Sequence, residues 1–83
     1  MISEQTKDVA RRAKMIYAER LKAGLELQHF GQFVAIEPDS GEYFLDESFG
    51  KCVDQARSAH PNRLSFVIKI GYEAAIHLGG MSR

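Results

Sequence analysis

The sequence predicts a single α+β domain in which a small antiparallel sheet is covered by helices, in the order helix, β-hairpin, helix, and then one or two strands. Three observations lead there. Residues 3–23 contain no Gly or Pro and show a helical apolar arc. Two β-rich runs flank Pro38-Asp39-Ser40-Gly41. Residues 64–70 alternate apolar and other side chains. At 83 residues, 45% hydrophobic and 27% charged, the chain has room for one core, and its composition is that of a folded domain rather than a disordered one.

The first helix is expected over 3–23, with Ser3 or Thr6 as N-cap and Gly24 as a left-handed C-cap. At about 100° per residue, Val9, Ala10, Ala13, Ile16, Tyr17, Leu21 and Ala23 share one broad arc. Lys7, Arg11, Lys14 and Lys22 line the opposite side, with Arg12 nearby. Arg20 interrupts the pattern, because it projects near the middle of the apolar arc. Its stem can pack on the core while the guanidinium reaches the helix's carbonyl end or an acidic hairpin; a ligand-binding role is the competing account.

Residues 25–31 read as a connector in which His29 and Phe30 close the base of the sheet. The hairpin is expected over 32–45. There Pro38 presets φ near −65°, Asp39 and Ser40 bond the turn's own backbone, and Gly41 supplies a positive φ. A second helix over 48–60 has Ser48 as N-cap, a stripe of Phe49, Cys52, Val53 and Ala56, and Pro61 as terminator; Gly50 in its first turn weakens it. Residues 64–70 form the clearest strand. Residues 72–78 alternate like a strand, although Tyr72, Ala75 and Ile76 also suit a helical turn. The strand reading is preferred, with Gly71 as a bulge or bend.

Net charge is zero but unevenly distributed. Residues 1–25 set Lys7, Arg11, Arg12, Lys14, Arg20 and Lys22 against Glu4, Asp8 and Glu19, whereas residues 26–50 carry Glu26, Glu37, Asp39, Glu42, Asp46 and Glu47 with no Lys or Arg. Either a basic helix complements an acidic hairpin within the chain, or a charged partner reads both faces. Cys52 is the only cysteine, so no internal disulfide framework is expected and a reducing compartment fits. The first residues show no apolar run of signal-peptide type, and nowhere do roughly 18 apolar residues run together. A cytoplasmic protein that does not enter the membrane is the expectation.

Asp39-Ser40-Gly41 matches the Asp-Ser/Thr-Gly triplet of aspartic proteases. That chemistry needs two carboxylates about 3 Å apart sharing a proton, at the end of a buried apolar strand in a dimer. Here the triplet lies in the most acidic stretch of the chain, which suits a solvated turn. His29, His60 and His77 have no zinc-site spacing with one another or with Cys52, and no Gly-rich loop follows a strand in the manner of a phosphate cradle; no metal or cofactor is expected. A Cys52–His dyad is disfavoured by the position of Cys52 on a core stripe. Nucleic-acid binding would rest on the basic side of the first helix, against zero net charge and an acidic hairpin.

The strings "FVAIEPDSGEYFL", "SFGKCVDQAR" and "HPNRLSFVIKIGYEAAIHLGG" carry a resemblance. From about residue 14 onward the chain resembles a family of short bacterial and archaeal proteins built as an N-terminal helix plus a β-β-α-β core, often encoded beside a retropepsin-like aspartic protease. The family carries no assigned activity, so the resemblance transfers no catalytic residue; it implies a small partner of a co-encoded protein. Where similar proteins have Gly-Asp-Thr-Leu-Glu-Glu, this chain has Asp46-Glu47-Ser48-Phe49-Gly50-Lys51, which keeps the cap but loses part of the acidic first turn. The β-β-α-β portion is also similar in topology to small antitoxin domains.

The expected function is therefore a non-enzymatic protein-interaction module, with an antitoxin-like nucleic-acid-binding regulator acting through the first helix as the alternative. The expected partner-binding residues are Lys7, Arg11, Lys14 and Lys22 on the helix and Glu37, Asp39 and Glu42 on the hairpin. A homodimer through a free sheet edge is compatible with the pattern.

Overall fold

The two central strands carry apolar side chains on both faces, and this decides where the helices go. A computed structural model describes residues 4–72 and the backbone of 76–79. Its strands are β1 (Phe33–Glu37), β2 (Glu42–Asp46), β3 (Ser65–Lys69) and β4 (Ile76–Gly79), arranged β2-β1-β3-β4 with every neighbouring pair antiparallel. Val34 faces Leu45 and Ile68 across the ladders, and Ala35 faces Phe44 and Val67. Successive residues point to opposite faces, so one strand feeds two cores.

On one face Val34, Ile36, Phe66, Ile68 and Ile70 pack with Val9, Ala13, Tyr17 and Leu25 of the N-terminal helical segment. On the other, Ala35 and Val67 pack with Cys52, Val53 and Ala56 of α3 (Phe49–Ala59), flanked by Phe33 and Phe44. The fold is the expected α+β class, with one helical layer on each face of the sheet.

The N-terminal helix departs from expectation at its far end. It runs as α1 (Glu4–Ile16), a π-helical turn over Tyr17–Leu21 and α2 (Lys22–Gln28), so Gly24 sits inside a helix and does not cap one. The Lys22 N–H donates to the Tyr17 carbonyl, five residues back. That inserts one extra residue into the turn. Without the insertion, Arg20 would continue the buried series Thr6, Val9, Ala13 and Tyr17; with it, Arg20 swings outward, Leu21 becomes partly buried and Leu25 enters the core. Ala23, expected on the apolar arc, is exposed for the same reason, and Leu25 belongs to the core rather than to a connector. Thr6 is buried within α1 and is no N-cap; Ser3 lies outside the described residues.

The chain leaves α2 through Gly31, at φ +88, and at once joins the sheet: Gly31 N–H donates to Ile70 O (2.9 Å) and Ile70 N–H to Gln32 O (2.8 Å). The hairpin turn closes through Gly41 at φ +79, whose N–H reaches Glu37 O at 2.9 Å, and Ser48 caps α3 by accepting from Lys51 N–H at 3.3 Å. Gly71, at φ +86, makes the expected bend after β3. Of the expected strand 72–78, Tyr72 closes the bend after β3, its N–H donating to Lys69 O at 2.9 Å; residues 76–78 lie in β4, and 73–75 fall outside the described residues.

A Cβ added at Gly24 meets open space. Replacing Gly24 by Ala should therefore raise stability by about 0.5–1 kcal/mol in urea denaturation, the gain of a helix interior. A left-handed cap would give the opposite sign.

Candidate functional site

The polar chemistry of the described residues gathers at the hairpin tip. Glu37 ends β1 with its side chain 1% exposed, yet it is fully partnered. Its carboxylate accepts Asp39 N–H at 2.9 Å, Ser40 N–H at 2.8 Å and the Arg63 guanidinium at 3.4 Å. Burial by itself would raise its pKa, but the hydrogen bonds from Ser40, from the Asp39 and Ser40 backbone and from Arg63 outweigh it, and the carboxyl is held below its ordinary 4.5. Glu37 is thus the internal organiser of the turn. Its burial leaves little of Glu37, one of the expected partner-binding residues, at the surface.

Glu42 lies directly opposite Glu37 in the ladder, a like-charge pairing that would destabilise an unassisted hairpin. Each acid has its own partner. Arg63 takes Glu37, and His60 Nε2 lies 2.6 Å from Glu42 Oε1 while its ring packs on Phe44. Arg12 reaches over from α1 to Asp39 at 2.8 Å, and the Arg20 guanidinium lies against Gly41. The π turn has therefore sent Arg20 to the acidic hairpin, one of its two expected destinations. Arg12, Arg20, Met15, Ile16, Glu19 and Pro38 line a shallow groove between helix and tip.

This arrangement answers the question posed by Asp39-Ser40-Gly41. Asp39 is exposed and paired with Arg12. Ser40 Oγ donates to Glu37 O, accepts Glu42 N–H at 3.1 Å, and sits 3.4 Å from His60 Nε2. A nucleophilic triad needs the acid on one imidazole nitrogen and the hydroxyl on the other. Here Glu42 and Ser40 share Nε2, so the grouping braces a turn instead of activating Ser40.

Of the remaining residues expected to bind a partner, Arg11 pairs with Asp8 on its own helix, Lys14 holds its ammonium 5.6 Å from the Phe66 ring centroid, and Lys7 and Lys22 are exposed. The structure brings the helix and the hairpin together through Arg12–Asp39 and Arg20–Gly41; it does not assemble the seven residues into one face. Cys52 is buried, as its stripe position implied, with Sγ 3.2 Å from Phe44 O, and burial pushes its thiol up to about 11. No group of three or more His, Cys, Asp or Glu side chains suited to a metal occurs among the described residues, and none of their helices is long and apolar enough to cross a membrane.

The opposite end of the sheet carries a surface that the sequence reading missed. Phe30 and Tyr72, 59% and 49% exposed, pack ring to ring with centroids 5.2 Å apart. Lys69 Nζ lies 5.0 Å from the Tyr72 centroid and 5.7 Å from that of Phe33, whose ring meets Phe49 edge-on at 5.7 Å. These five residues form a continuous strip from α3 across the sheet to the turn after β3. Gly71 permits it, since a Cβ there would be driven into the Phe30 ring. The signal was faint: Phe30 and Tyr72 each stand beside a glycine, but nothing in their spacing brings them together.

No protein-family model matches the chain, and no match is found among characterised proteins or solved structures.

Two outcomes follow from the geometry. Because folding lowers the Glu37 pKa, its contribution is present above about pH 4.5 and is lost as pH falls through the lower folded value. Glu37→Gln should cost about 1–3 kcal/mol at pH 7 and flatten that acid limb when urea midpoints are compared between pH 3 and 7. Cys52 should resist an aromatic disulfide reagent at pH 8 in the folded protein and react fully once urea unfolds it.

Proposed function

We propose that the chain is a protein-interaction module without a reaction of its own, and that it meets its partner through the aromatic strip at the base of the sheet. The observation that carries this reading is the pair Phe30 and Tyr72, both about half or more exposed and stacked on each other beside Lys69. Aromatic residues are enriched at interface hot spots, and Leu27, 82% exposed on α2, adds apolar surface at the same end of the helical segment. Glu37 and Asp39 are already engaged within the chain by Arg63 and Arg12, which favours the strip over these two as the contact face. In keeping with the family resemblance, the partner is a protein encoded alongside this one, and the pair acts in the cytoplasm.

The alternative is a nucleic-acid-binding regulator. Its support is the exposed Lys7, Arg11 and Lys14 on α1, together with rings able to stack on bases. Asp46 and Glu47 lead into α3 with only Ser48 between Glu47 and Phe49, and Arg11 and Arg12 are paired with Asp8 and Asp39. Those acids disfavour a polyanion.

Substituting Phe30 and Tyr72 together with Ser should abolish capture of the co-encoded protein while leaving the melting temperature within a few degrees. Capture unchanged by the double substitution, or abolished by nuclease in the wild type, would remove the reading.

A further inference from the structure

We propose that the open edge of β2 receives an extended segment of the partner as a fifth strand, and that this segment has an apolar middle and Lys or Arg at both ends. The inference rests on the interaction-module reading and gives the partner a chemistry. In the order β2-β1-β3-β4, β2 has a neighbour on one side only, so half of its backbone hydrogen-bonding groups face away from the sheet. Glu42 and Asp46 are the two ends of the strand and Glu47 follows at once, while no Lys or Arg occurs anywhere between residues 26 and 50. The edge is therefore an apolar Tyr43-Phe44-Leu45 centre between acidic ends.

Its two faces differ. On one, α3 covers β2, and Gln55 Nε2 donates to both Leu45 O and Asp46 Oδ2 at 3.2 Å. A side-chain amide thus occupies a carbonyl that an incoming backbone amide can take in its place. On the other, the N-terminal helical segment lies over β3 and β1, leaving Tyr43 42% exposed with Leu45 partly buried beside it. An added strand finds there an apolar step to pack against, the arrangement by which sheet edges capture extended peptides.

The same residues select against a second copy of this chain. Two β2 edges paired antiparallel about Phe44 would set Glu42 opposite Asp46 at both ends, and like charges directly across a ladder are unfavourable. A basic-ended segment turns both repulsions into attractions.

The test uses the full chain and three short synthetic peptides: alternating Val and Thr between terminal lysines, the same peptide with terminal glutamates, and the lysine peptide with a central proline. Amide hydrogen exchange on the protein should show β2 protected by the lysine peptide. Affinity should be about tenfold weaker with glutamate ends, and the proline version should not bind. In Glu42→Lys/Glu47→Lys, which spares the bond of Asp46 to Ser48 N–H, the preference should invert. Absence of β2 protection at millimolar lysine peptide, equal binding of the proline version, or an unchanged preference in the variant would each overturn the proposal. Failure there leaves partner capture through Phe30 and Tyr72 standing, since that is scored separately.

Discussion

β1 and β3 are buried on both faces, and the rest of the molecule is arranged to supply the two layers they require. Val34, Ala35 and Ile36 in one strand and Phe66, Val67 and Ile68 in the other leave no side of the central sheet that water can wet. The two layers are built differently. Beneath α3 the contacts are small, with Ala35, Cys52, Val53, Ala56 and Val67, so that helix can sit close. The opposite layer uses Tyr17, Leu25, Ile36, Phe66, Ile68 and Ile70, and needs a longer helical segment to cover it. A chain this short has little core to spare, so a lost contact in either layer is felt in full.

That longer cover explains the π turn. A regular helix would bring Arg20 round to the sheet one turn after Tyr17, and an unpaired guanidinium there would lose its hydration without recompense. One extra residue between Tyr17 and Lys22 rotates Arg20 to the hairpin tip and lets Leu21 and Leu25 extend the apolar face. The tip in turn is held from both sides, by Arg12 from α1 and by His60 and Arg63 from beyond α3, around a carboxylate that orders its own turn. Exposed pairs of this kind contribute at most about 1 kcal/mol each, so the buried Glu37 network carries more of the tip's order than the surface ions do.

Local chemistry made much of this legible. Ser40, Gly41 and Ser48 state their roles locally, and the alternation over 64–70 marks β3. The carboxylate that bonds the turn backbone, however, is that of Glu37, while Asp39, expected to do so, pairs with Arg12. The placement of charge along the chain foretold a basic helix meeting an acidic hairpin, although not that Glu37 would be buried in doing so. The π turn was written only as an anomaly, Arg20 on an apolar arc, because a one-residue shift leaves composition and propensity unchanged. A stop at Gly24 looked natural for the same reason: glycine serves a cap and interrupts a helix equally well, and only the burial of Leu25 decides between them. Phe30 and Tyr72 could not be paired in advance, since their contact depends on Gly31 and Gly71 turning toward each other across the sheet end.

The two ends of the sheet therefore differ in what they have left to offer. At the turn itself the carboxylates of Glu37 and Asp39 are matched within the chain by Ser40, Arg63 and Arg12, and what stays open beside it is the outward backbone edge of β2. At the base the matching is incomplete. Phe30 and Tyr72 shield each other only in part, and covering the remaining surface of two rings is worth about 2–3 kcal/mol each at about 25 cal/mol per Å². Both rings are set by backbone geometry, Gly31 and Gly71 at positive φ and the Gly31–Ile70 rung, rather than by a mobile loop. A partner meeting such a surface would lose little to ordering it, and that is the physical ground for proposing the base of the sheet as the contact face.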